Sequence, residues 1–299
     1  MKKRLRLRLR HRLNFGFALL MIAIMVIVVG CGTAAPQTTG TPKPANPSLI
    51  LATTTSTQDS GLLSVLIPAF EKKTGYNVKT IAVGTGAALA MGEKGDADVL
   101  LVHAFTAEKK LVDNKTAINY QLVMHNDFVV VGPSTDPAKV KETKTAVDAL
   151  KAIYASPSIF VSRGDDSGTD KIEKALWTKA NIKPAEDKYQ STGQGMGQTL
   201  TIASEKAAYT LTDRATYLAT KKNLKLDILL EGESSLLNIY HVMQVNPEKF
   251  PKVNAAGAKA FVDFMIDADT QKLIESFGKD EYGQALFFAD AGKKMEDLK

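Results

Sequence analysis

The sequence predicts an α/β protein with mostly parallel sheets, and three observations carry that expectation. Short apolar runs alternate with helical patterns along most of the chain, as in strands joined by crossover helices. Turns rich in Gly, Ser and Thr stand at the ends of several of these runs, where open α/β sheets place their ligands. Two segments, 128–132 and 239–245, read as long strands able to cross between two lobes, one made of residues 47–131 plus about 242–299 and the other of 132–241.

The 299 residues open on Met1-Lys2-Lys3-Arg4 with further arginines to Arg12, an apolar run from Phe15 to Val29, and Gly30-Cys31. A basic stretch, an apolar core of this length and a small residue mark an export signal over 1–30. A membrane anchor is the competing reading, but the run is short for a full span and no charge follows it to stop transfer. Val28-Val29-Gly30-Cys31 resembles a bacterial lipoprotein cleavage box, with Val28 where Leu is more usual. That resemblance implies that Cys31 becomes the lipidated first residue of an exported, extracytoplasmic, membrane-anchored protein. Cys31 is the only cysteine, so the folded part has no internal disulfide.

Residues 1–30 hold seven Lys or Arg and no acid, which leaves 31 basic against 32 acidic side chains and a formal charge near −1. The high overall pI therefore gives no argument for nucleic acid as a partner. Residues 31–46 are small, polar and Pro-rich and read as a flexible tether. Enough chain remains for two modest domains.

The folded part begins with a buried-strand run, Ser48 to Ala52, followed by five hydroxyl residues, Thr53-Thr54-Thr55-Ser56-Thr57. Such hydroxyls offer neutral donors to an oxyanion, or cap their own helix. A helix follows with Leu62, Leu63, Leu66, Ala69 and Phe70 on one face and Gly75 as its stop; Pro68 kinks or splits it. A strand over Val78–Val83 then meets Gly84-Thr85-Gly86, which opens a helix over Ala87–Lys94. As a phosphate-loop motif this is incomplete, lacking the longer glycine spacing and the lysine. Val99 to Val102 is a strand with His103 at its carboxyl end; His125 and His241 fall in separate strand patterns. No His, Cys and Asp grouping has zinc spacing, so neither a metal cation nor a cofactor is expected.

A helix over Ala146–Tyr154 precedes the central stretch, Phe160 to Thr169. Here a short strand turns tightly into a helix over Asp170–Ala180, with Ser167-Gly168-Thr169 as its cap. A helix N-terminus attracts anions through unpaired amides and a partial positive charge. Ser167 and Thr169 add hydroxyls, Gly168 lets an oxygen approach the amides, and Arg163 supplies a permanent charge on a planar fork. The alternative is a capped helix whose Arg163 pairs with Asp165 or Asp166. Further on, Gly193-Gln194-Gly195-Met196-Gly197 either contributes amides to the ligand or is a turn with Met196 packed beneath it. A helix over Gln198–Lys206 and a strand over Ala207–Leu211 lead to Asp213-Arg214, where Arg214 is either a second anion clamp or the partner of a nearby carboxylate. Trp177 reads as core. A strand over Asn238–Val245 and a helical region over Ala255–Phe277, broken near Asp267, close the chain.

Several of these stretches, in order, resemble the tungstate-binding proteins of bacterial tungstate ABC importers: Thr53 to Leu63, Gly84-Thr85-Gly86, Gly95 to His103, Asn126-Asp127-Phe128, Ser162 to Thr169, Gly193 to Gly197 and Thr210 to Arg214. The resemblance covers about residues 49–246. It implies a two-lobed type II periplasmic-binding-protein fold, monomeric, closing over an oxyanion and handing it to the permease and ATPase subunits of an ABC importer. The chain is similar at greater distance to phosphate-binding proteins, whose Arg-x-Asp-x-Ser-Gly-Thr site matches Arg163, Asp165, Ser167, Gly168 and Thr169. Those proteins carry an aspartate where this chain has His103. A carboxylate accepts the proton that phosphate keeps, whereas tungstate and molybdate are unprotonated and favour a cage of donors only.

On this basis Thr54, Thr55, Ser56, Thr85, Gly86, Arg163, Ser167, Gly168 and Thr169 are expected to hold the anion, with Asp165, His103 and Arg214 behind them. Molybdate, sulfate or phosphate is the alternative ligand. An enzyme acting on phosphate or sulfate esters would need a nucleophile with an oriented base or a metal pair; Ser56 and His103 are candidates, but no third residue orients them.

Overall fold

The computed structural model describes residues 44–298. The expected export signal, Cys31 and most of the tether lie outside the described residues. Strand β1 (Ser48–Thr54) runs two residues beyond the apolar run, so the hydroxyl stretch divides between the strand and the short helix α1 (Thr55–Asp59). Helix α2 (Leu63–Thr74) keeps Pro68 inside it and stops at Gly75, whose φ of 76° is a left-handed cap. Its buried Leu63, Leu66 and Phe70 survive the missing N–H because Phe70 packs edge-on against Phe261 and Phe264 of helix α9 (Ala255–Ile266).

Strand β2 (Asn77–Val83), helix α3 (Thr85–Lys94), strand β3 (Val99–Val102) and helix α4 (Phe105–Asp113) follow. Next comes β4 (Ala117–Pro133), a strand of 17 residues. After helix α5 (Ala146–Ala155) come β5 (Phe160–Ser162), α6 (Gly168–Lys179), β6 (Tyr189–Ser191), α7 (Met196–Glu205), β7 (Thr210–Asp213), α8 (Arg214–Thr220) and β8 (Leu226–Leu230). Strand β9 (Leu237–Val245) returns, and α9, α10 (Ala268–Ser276), α11 (Lys279–Tyr282) and β10 (Phe288–Ala289) complete the order. Asp267 ends α9 and caps α10, which is the break expected near that residue.

The sheet is more mixed than strand–helix alternation predicts. β1 pairs in parallel with β2 and β3, but β9 inserts antiparallel between β3 and β4, and β10 adds to β4. The cause is β4 itself. Its first half pairs with β9 as far as Asn126↔Asn238 and Asp127↔Leu237, and its second half pairs antiparallel with β7 and β8. A strand that crosses between two sheets meets returning strands on both sides, and returning strands run antiparallel.

Among the described residues, alternation along these strands makes four cores, one on each face of each sheet. Tyr240 and Val242 join Leu49, Leu51, Val99 and α2, whereas Met243 and Val245 join Ala52, Leu100, Val102 and α3. In the second half of β4, Phe128 and Val130 pack with Phe160 and Trp177, and Val129 and Val131 pack with Val161, Met196 and Leu200. Each sheet is thus covered on both sides, and its strand ends are left to carry polar groups.

Candidate functional site

Three strand–helix junctions converge, and their polar side chains are buried: Thr54, Ser56, Thr85, His103, Arg163, Ser167 and Thr169 are each 3% exposed or less. At the first junction the Thr54 hydroxyl caps α1, lies 3.1 Å from the Ser56 hydroxyl and 2.7 Å from that of Thr57, and is 3.1 Å from His103 Nε2. His103 Nε2 also lies 3.2 Å from Ser56 Oγ. Thr53 turns away and donates to the Leu101 carbonyl.

At the second junction Thr85 Oγ1 accepts from the Gly168 amide at 2.9 Å, and the Gly86 amide donates to the Asp166 carbonyl at 3.1 Å. Both glycine amides are therefore spent on joining the two loops. The space at Gly168 has a different occupant from the one the sequence suggests. A Cβ there would lie 2.8 Å from His103 Cε1 and Nδ1, so the missing side chain makes room for the imidazole rather than for an oxygen of the anion.

At the third junction Arg163 Nη2 donates to Thr55 Oγ1 at 2.8 Å and to Asp165 Oδ2 at 2.6 Å, while Nε and Nη1, fully buried, have no partner. Asp165 Oδ1 accepts from the Ser167 amide, so this carboxylate is held at both ends. Ser167 Oγ caps α6 through the Asp170 amide, and Thr169 Oγ1 has no partner. A guanidinium buried with two idle nitrogens, in a loop that leads into a twelve-residue helix whose first turn also holds an idle hydroxyl, has the chemistry to hold an anion. The pairing of Arg163 with Asp165 is real, yet it uses one of the three nitrogens.

His103 is neutral. Burial, reinforced by the Arg163 charge, pushes its imidazole down to about 3 against the pull of Asn238. Its Nδ1 has no partner, and the ring lies 4.7 Å from that of Tyr240.

Arg214 is engaged elsewhere. It grips Asp127 with Nε and Nη2 at 2.7 and 2.6 Å, and its Nη1 lies 2.6 Å from Glu231. Of the two roles the sequence left open, carboxylate partner is the observed one, with Asp127 and Glu231 rather than the adjacent Asp213. Asp213 caps α8 through the Thr216 amide, and burial pushes its carboxyl up to about 6, opposed by the Thr216 bonds and by Arg163.

The glycine cluster also has a use. The Gly193 amide donates to the Arg163 carbonyl, Met196 is fully buried, and Gly195 starts α7.

Sequence reasoning missed the polar groups behind the site. Glu173 accepts from Ser162, Trp177 and Tyr189, and burial pushes it up to about 7. Asn238 on β9 joins Asn126 on β4 and Tyr240 at 2.8 and 3.0 Å. The sequence marks Asn126 and Asn238 as parts of a motif and of a strand, but nothing local shows that they meet across 112 residues.

Residues 33–269 match the profile of the PBP superfamily domain. The chain belongs to the PBP superfamily. Among members, it is 50% identical over 251 residues to the tungstate-binding protein TupA of Peptoclostridium acidaminophilum, covering 83% of this chain and 88% of that one. It is 41% identical to the TupA of Campylobacter jejuni, covering 81% and 90%. Among solved structures of the superfamily, it resembles the tungstate ABC transporter structure from Geobacter sulfurreducens with a TM-score of 0.71 at 48% identity, covering 77% of this chain and 98% of that one. TupA of Desulfovibrio alaskensis G20 gives 0.69 at 46%, covering 82% and 99%. The α/β architecture, with helices flanking the central sheet, is that of this superfamily's type II fold.

Proposed function

We propose that this protein captures tungstate between its two lobes and delivers it to the permease and ATPase subunits of an ABC importer. The observation that carries the reading is Arg163, buried with Nε and Nη1 unpaired. A half-satisfied buried guanidinium is costly unless an anion completes it. In this reading Thr54, Thr55, Ser56, Thr85, Ser167 and Thr169 supply hydroxyl donors from the three junctions, and neutral His103 takes the place of a carboxylate that would repel a dianion. The similarity to tungstate-binding proteins supports tungsten as the metal of that oxyanion. Molybdate is nearly the same size and equally unprotonated, and it is the second reading. In this proposal residues 1–30 are an export signal, Cys31 carries the lipid, and the lobes comprise 47–131 with 242–299 and 132–241.

Calorimetric titration of the anion-stripped protein with tungstate, molybdate, sulfate and phosphate tests the reading. Tight tungstate binding with sulfate and phosphate silent is the expected result. A preference for sulfate or phosphate, or hydrolysis of their esters, would overturn it.

A further inference from the structure

We infer that Asp59 latches the two lobes together from outside the anion cage, acting as the missing N-cap of a helix in the opposite lobe. The inference rests on the capture reading above.

Helix α7 starts at Gly195, which offers no side chain to the first-turn amides, and that turn holds no acidic residue. Helices ordinarily recruit Ser, Thr, Asp or Asn there, because those amides have no acceptor within the helix. Here the acceptor comes from α1: Asp59 Oδ2 accepts from the Gly197 amide at 3.1 Å across 138 residues of sequence.

Glycine is what allows the approach. A Cβ on Gly195 would lie 3.2 Å from Thr55 Cβ, and one on Gly197 would lie 3.2 Å from the Asp59 carboxylate. Met196, between them, is fixed in the core with Val129, Val131 and Leu200. The start of α7 therefore moves with the second half of β4, while α1 continues directly from β1, and the bond exists only when these two bodies are together.

Asp59 borders the cage without belonging to it, since its carboxylate bonds the Gly197 amide. With Thr55, Gly195, Gly197, Gln198 and Thr201 it lines an open groove of about 470 Å³. Its charge works against capture, since a carboxylate beside the path of a dianion repels it. Its contribution is the acceptor, and the acceptor acts on release.

Asp59→Asn and Asp59→Ala separate the two properties, because both remove the charge and only Asn keeps an acceptor for Gly197. Stopped-flow kinetics with tungstate should give equal association rates for the two variants and release about fivefold faster from Asp59→Ala, the size of one lost N-cap. Asp59 is exposed, so neither substitution opens a core, and the unliganded variants should unfold at matching temperatures. Equal release rates would overturn the latch while leaving capture intact, as would a lower unfolding temperature for Asp59→Ala with no difference in release. A wild-type protein that binds no tungstate would sink both.

Discussion

Among the described residues two arginines lie near carboxylates, and they do opposite work. Arg214 spends all three nitrogens on Asp127 and Glu231 and retains about a sixth of its surface in water. Arg163 is buried completely, spends one nitrogen on Asp165 and Thr55, and keeps two idle. Charge and residue type are the same; the difference is the number of acceptors the fold supplies. A saturated arginine holds strands together, and an unsaturated one waits for a ligand.

The largest expected effect breaks the comparison at Arg163. Arg163→Ala should cost about 3–5 kcal/mol of tungstate affinity, the range for removing one partner of a buried charge pair, as read by calorimetry. Unchanged affinity would refute the assignment. Arg163→Lys, which keeps the charge and loses the fork, should fall between.

His103→Asp comes next, because it places a carboxylate against Thr54 and Ser56. Tungstate affinity should drop about tenfold or more, and phosphate, which brings a proton to share, should begin to bind. Arg214→Ala should act elsewhere. It strands Asp127 and should lower stability by about 1–3 kcal/mol in denaturant titration, with tungstate affinity nearly unchanged. A loss of affinity larger than the loss of stability would mean that Arg214 does reach the anion.

The smallest effect sharpens the comparison through Glu173, which holds Ser162 beside Arg163. Its carboxyl is raised from 4.5 to about 7, by burial first and with Asp170 reinforcing. The folded protein therefore holds this proton more tightly than the unfolded chain, so the contribution to stability grows as pH falls from about 7 toward 4.5 and is lost as pH rises through 7. His103, held below its ordinary value, contributes the opposite slope and is common to both proteins in a comparison with Glu173→Gln. Thermal unfolding from pH 8 to 5 should show the wild type gaining on the variant as the solution is acidified; a constant gap would refute this.

Much of this arrangement is legible in the sequence. Strand–helix alternation, the Gly75 stop and the hydroxyl-rich turns are local signals, and the junctions they mark do converge. What stays hidden is pairing over long distances. Whether Arg163 is idle depends on Thr55, 108 residues away, and whether Arg214 is occupied depends on Asp127, 87 residues away. The space at Gly168 belongs to His103, which no local pattern reveals. The short, half-exposed β6 has no apolar alternation to betray it.

The place of β9 between β3 and β4 bears on how the polypeptide comes to be folded at all. β3 and β4 are both made early, but neither can complete its hydrogen bonding until a strand more than 100 residues later arrives to separate them. The intervening lobe is synthesised whole in that interval, while the first sheet waits with open edges. Chains cut short before Leu237 should aggregate rather than yield a half-protein, and refolding should be paced by the entry of this one late strand.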